Sequence, residues 1–67
     1  MKQVVKINHN YGVFAVYCST DENPWLYLYR LYCLNGKKKV FIDEYDSLTD
    51  ATMDCLTYAM TGLPCEQ

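Results

Sequence analysis

Apolar and polar positions divide this chain into five runs, four with strand-like character and a last one with a helical period. Between Lys2 and Asn8, Val5 and Ile7 alternate with Lys6 and Asn8, the period of two that a half-buried strand needs. Asn8-His9-Asn10-Tyr11-Gly12 breaks that pattern with turn-forming residues. From Val13 to Cys18 both alternating sets are apolar, Val13-Ala15-Tyr17 and Phe14-Val16-Cys18, which predicts a strand inside the sheet. A polar connection, Ser19 to Pro24, leads into a Tyr/Leu-rich run from Trp25 to Leu34, with Pro24 suited to a strand's entry. Asn35-Gly36 then predicts a two-residue type I′ turn into a fourth strand, Lys37 to Asp43.

After Asp43 the period lengthens. Ser47 followed by Asp50 reads as an N-cap, and Asp46, Asp50 and Asp54 suit the N-terminal half of a helix. Gly62 is the natural residue beyond its end, with Pro64 barring continuation. At 100° per residue Ala51, Cys55 and Ala59 centre one face, flanked by Leu48, Leu56, Tyr58 and Leu63. Thr57, Asp50, Thr61 and Asp54 gather opposite. The expectation is an α+β fold: a four-stranded antiparallel meander, β-β-β-β-α, with one C-terminal helix packed on one sheet face. Residues 1–67 make a single small domain, too short for a second core.

An Asn-Gly loop sets the hairpin register, pairing Leu34 with Lys37, Cys33 with Lys38 and Leu31 with Val40. One face then carries Trp25, Tyr27, Tyr29, Leu31, Cys33, Val40 and Ile42. The other carries Leu26, Leu28, Arg30, Tyr32, Leu34, Lys37, Lys39, Phe41 and Asp43. Only the second has charges in its middle, so the helix is expected on the first. That leaves a second face of large apolar and aromatic residues uncovered, and a contiguous patch of that kind marks a binding surface. Leu28, Arg30, Tyr32, Lys39 and Phe41 are the expected partner-binding residues.

Composition narrows the chemistry. The chain is 51% hydrophobic and 15% aromatic with a net charge of −2, which excludes a disordered tail and bulk attraction to nucleic acid. No apolar run approaches a membrane span and the first ten residues lack a signal-peptide core, so the expected location is cytoplasmic. Cys18, Cys33, Cys55 and Cys65 form no C-x-x-C pair; the first three read as small apolar residues, and Cys65 as the reactive one. His9 is the single histidine and lies in a turn. With three glycines there is no phosphate-binding loop, and the carboxylates lack the spacing of a calcium site. No catalytic residue, metal or cofactor is expected, and the chain is read as a non-enzyme.

Trp25, Arg30, Tyr32, Gly36-Lys37-Lys38, Tyr45 and Ala51 give the stretch from Trp25 to Ala59 a W…R…Y…GKK pattern. In this it resembles the AP2-like arm-binding domains of tyrosine recombinases. The resemblance implies a sheet that reads DNA through Arg30, Lys37 and Lys39, with a helix behind it. This chain departs in its acidic balance, its additional N-terminal strand and Asp43-Glu44. In style, as a compact acidic domain with a dense aromatic surface, it is similar to small bacteriophage-encoded inhibitors, anti-CRISPR proteins among them. The leading expectation is a protein-binding module or host-protein inhibitor, acting in the bacterial cytoplasm if phage-encoded, with homodimerisation as one use of the face. The alternative is a DNA-binding domain using the basic 30–41 hairpin. An acidic nucleic-acid mimic using Glu44, Asp46, Asp50 and Asp54 ranks third.

Overall fold

The computed structural model describes residues 2–19 and 28–62. The expectations for Pro24, Trp25, Leu26 and Tyr27, and for Leu63, Pro64 and Cys65, lie outside the described residues. Four strands, β1 (Lys2–His9), β2 (Gly12–Ser19), β3 (Leu28–Asn35) and β4 (Lys38–Tyr45), form one antiparallel sheet in the order β1-β2-β3-β4. One helix, α1 (Leu48–Thr61), follows and packs on a single face, chiefly over β2. The fold is the α+β meander that the periodicities predict.

The helix is bounded as its sequence demands. Ser47 Oγ accepts the Asp50 N–H at 3.4 Å, and Gly62 closes the far end with φ 67° while its N–H donates to the Tyr58 carbonyl at 2.7 Å. Ala51, Cys55 and Ala59 are fully buried against Phe14, Val16 and Leu31, with Val5, Ile7, Tyr29, Cys33, Ile42, Tyr45 and Tyr58 around them. Three small residues at i, i+4 and i+8 let the helix approach the sheet along one narrow ridge. Its flanks therefore overhang. Leu48 and Leu56, expected to border the buried face, are 41% and 44% exposed, alongside Met53 and Met60.

Two local departures from the expected register matter. The hairpin turn is Gly36-Lys37, not Asn35-Gly36: Asn35 pairs with Lys38, and Gly36 alone takes a positive φ, 63°. Glycine first with an ordinary residue second is the type II′ pattern rather than type I′. From the turn to Tyr32 each pair slides by two positions, so Cys33 faces Val40 and Tyr32 faces Phe41. A shift of two preserves the faces, because side chains alternate with period two.

The second departure is a bulge in β4 that sets Ile42 and Asp43 against the neighbourhood of Leu31. Simple alternation would turn Glu44 toward the helix and Tyr45 away. The extra residue reverses them, so Tyr45 joins the core and Glu44 lies beside Arg30. Asp43, expected in the charged outer row, sits in the bulge, where its Oδ1 accepts the Glu44 N–H at 2.7 Å. A matching irregularity at Val4 keeps Val5 and Ile7 under the helix.

Candidate binding face

The sheet face opposite the helix can be read off the register as rows. Asn8, Val13, Leu34 and Lys39 form one row, and Lys6, Ala15, Tyr32 and Phe41 the next. Gln3, Tyr17, Arg30 and Glu44 form the third, and Ser19 and Leu28 end the face. All five expected residues stand here. Leu28, Arg30 and Tyr32 occupy successive outward positions of β3, and Phe41 lies directly across from Tyr32. Leu28 is half-buried at the far end from Lys39.

Aromatic side chains tie the middle of the face together. Tyr17 and Tyr32 meet edge to face with centroids 5.4 Å apart, and Tyr32 meets Phe41 in the same manner at 5.7 Å. This chain of rings runs across two rows and spans β2, β3 and β4. Phe41, at the outer end, is 54% exposed. Lys39 folds back over the two tyrosines, its Nζ 4.6 Å from the Tyr17 ring centroid and 5.3 Å from that of Tyr32. Beneath, Ala15 is fully buried although it lies on the face away from the helix. The neighbouring rings and the Lys6 and Lys39 stems are what is placed to cover it.

Charge on this face is partly compensated. Arg30 Nε donates to Glu44 Oε2 at 2.8 Å, with both side chains substantially exposed (33% and 40%). A pair this solvated contributes between about zero and 1 kcal/mol to stability. It fixes Arg30 in the row beside Tyr17. Lys37 stands at the hairpin tip, so Arg30, Lys37 and Lys39 occupy separate places rather than one cationic stripe.

The basic residues and the helix carboxylates sit on different elements. The six Lys and Arg residues, Lys2, Lys6, Arg30, Lys37, Lys38 and Lys39, all lie in the sheet or its β3–β4 turn. The helix and its entry carry Asp46, Asp50 and Asp54 and no cation. Asp54 is not on the solvated side where its spacing put it. It is partly buried and accepts the Tyr45 hydroxyl at 2.7 Å. Burial first, and then this hydrogen bond, holds the Tyr45 phenol well above the usual tyrosine range.

Tyr17 joins Tyr32 and Phe41 on this face, although nothing in the pattern of β2 singles it out from its neighbours. The missing signal was the β2–β3 register, which the connection across residues 20–27 hides. Pairing the Ala15 gap with Tyr32 would have supplied it. Elsewhere, among the described residues, no three of His, Cys, Asp and Glu are grouped so as to hold a metal ion. Cys55 is a core thiol, pushed up to about 11 by burial. Cys18 is also buried, and Cys33 lies on the inner face. No helix among the described residues is long and apolar enough to cross a membrane.

These features define a small α+β domain with a helix on one sheet face and an aromatic, cation-bearing opposite face. No family model, curated protein or solved structure matches the chain.

Proposed function

We propose that this chain is a non-enzymatic protein-binding module whose contact surface is the outer face of the sheet. The observation that carries the reading is the chain of rings Tyr17-Tyr32-Phe41, which lies opposite the only helix of the described residues and ends in a half-exposed phenylalanine. Tyrosine and arginine are the residue types that concentrate binding energy at protein interfaces, and Tyr32, Arg30 and Phe41 stand together here. With Lys6, Arg30 and Lys39 on this face, the partner surface that fits is apolar at its centre and carboxylate-bearing at its rim. Inhibition of a bacterial host protein by a phage- or mobile-element-encoded chain is the setting this reading favours. A second copy of the chain is the other protein partner it allows, and the buried thiols Cys18 and Cys55 suit a reducing cytoplasm.

DNA binding is the second reading, supported by the exposed Lys37 and Lys38 at the hairpin. It draws less from the geometry, because Arg30 is engaged by Glu44 and Lys39 lies over aromatic rings.

The test is affinity capture with three baits: the wild type, Phe41→Ala, and a Met53→Ala/Met60→Ala control on the exposed helix flank. Truncating a central aromatic anchor costs about 2 kcal/mol or more, a loss of roughly 30-fold in affinity. The expected result is one species recovered by the wild type and the helix control and lost with Phe41→Ala. Retention by Phe41→Ala with loss by the helix control would move the site to the helix and overturn the proposal.

A further inference from the structure

We propose that the corner between Tyr17 and Tyr32 is a binding site for a quaternary ammonium group, with Lys39 as its built-in competitor. The two rings stand nearly perpendicular, at 86°, with centroids 5.4 Å apart, so they form two walls of a box. The Lys39 ammonium lies 4.6 Å and 5.3 Å from the two centroids, within the ~6 Å over which a cation is attracted to an aromatic face. The corner thus already holds a cation, and that cation comes from the chain itself.

The walls do not depend on the lysine. The Tyr17 hydroxyl donates to Gln3 Oε1 at 3.2 Å, Tyr32 is braced by Phe41 at 5.7 Å, and Ala15, two residues before Tyr17, pairs directly with Tyr32. Lys39 is the weak partner in this arrangement. Its ammonium is a compact, strongly hydrated charge on a flexible stem, and Lys39 as a whole is exposed. Entering the corner costs it hydration, and leaving for solvent restores that hydration. A trimethylammonium group has no N–H to hydrate, and its methyl groups reach both ring faces at once. It is therefore the better occupant, and Lys39 swings out to admit it. A choline headgroup and a trimethylated lysine side chain share this chemistry.

The inference concerns the corner alone, and its test needs no protein partner, so it stands or fails separately from the proposed function. The signals of Tyr17 and Tyr32 would be followed by NMR during titration with choline and with its uncharged isostere, 3,3-dimethylbutan-1-ol. Saturable shifts are expected with choline, about fivefold tighter in Lys39→Ala, where the competitor is gone, and at least about fivefold weaker for the isostere. Tyr32→Phe should keep binding and Tyr32→Leu should lose it. Tyr17→Leu replaces the latter if circular dichroism shows Tyr32→Leu unfolded. Parallel titrations with a trimethyl-lysine peptide and with phosphocholine vesicles identify the source, and saturation by either supports the site. Equal binding of choline and the isostere, no saturable shift in Lys39→Ala, or undiminished binding by a folded leucine variant overturns it.

Discussion

Gly62→Ala probes how the helix end is locked to the β1–β2 turn. Gly62 has φ 67°, and a Cβ added there would lie 2.8 Å from Tyr11 Cγ and closer still to Cδ2. The same turn is pinned by the Tyr11 N–H, which donates to the Ala59 carbonyl at 3.0 Å. Two costs follow. The left-handed backbone costs an L-residue about 1–2 kcal/mol, less about 0.4–1 kcal/mol recovered from the stiffer unfolded chain. Displacing the Tyr11 ring, which is 59% exposed and buries the remainder, adds roughly 1 kcal/mol.

Gly36→Ala is the internal control. Gly36 has nearly the same φ, 63°, but nothing lies within 4 Å of its added Cβ. It should cost about 1 kcal/mol and Gly62→Ala about 2 kcal/mol. For a chain of this size the total stability is on the order of 3–10 kcal/mol, and each 1 kcal/mol moves the melting temperature by about 4–8 °C. Urea midpoints at unchanged m-value provide the assay. In Tyr11→Ala/Gly62→Ala the steric part of the penalty should vanish, a coupling of about 1 kcal/mol. A Gly62→Ala variant no less stable than Gly36→Ala would refute the lock between the helix end and the turn.

Three further outcomes follow from the geometry. Tyr45→Phe removes the hydroxyl that donates to Asp54 and should destabilise by about 1 kcal/mol at neutral pH. Because folding raises the Tyr45 pKa, its contribution is fully present below about pH 10 and is lost as pH rises beyond it. Tyr45→Phe should therefore flatten the alkaline fall in stability, and an unchanged alkaline slope would count against the buried hydrogen bond. For the DNA reading, a titration at low salt is decisive, since the phosphate contribution is largest there. The sheet-face account expects no binding, and a salt-sensitive complex lost with Lys37→Ala/Lys38→Ala would favour DNA instead.

The order of elements was legible because each follows from a local rule. Period-two alternation marks the strands, and Ser47, Gly62 and the Ala51-Cys55-Ala59 ridge mark the helix and its buried side. The assignment of the helix to the Tyr29-Leu31-Cys33-Ile42 face also held, even though the turn lay one residue later than Asn-Gly suggests. That shift moves the pairs between the turn and the bulge by two and so leaves their faces intact. What could not be read are the bulges. Phe41-Ile42-Asp43-Glu44-Tyr45 alternates equally well with or without an extra residue, and only packing of Tyr45 under the helix selects the bulged form. The overhanging Leu48 and Leu56 escaped for a related reason: helical periodicity gives direction around the axis but not the width of the surface facing it. On the outer face of the sheet, Tyr32 and Phe41 followed from β3–β4 register alone, whereas Tyr17 needed the pairing across residues 20–27.

Carbene footprinting tests the central claim most directly, comparing the free chain with its captured complex residue by residue. The account predicts that labelling of Tyr32 and Phe41 falls sharply in the complex, while Met53 and Met60 on the exposed helix flank label as in the free chain. Protection of Met53 and Met60 with Tyr32 and Phe41 unchanged would contradict it, and would place the partner on the helix instead of the sheet.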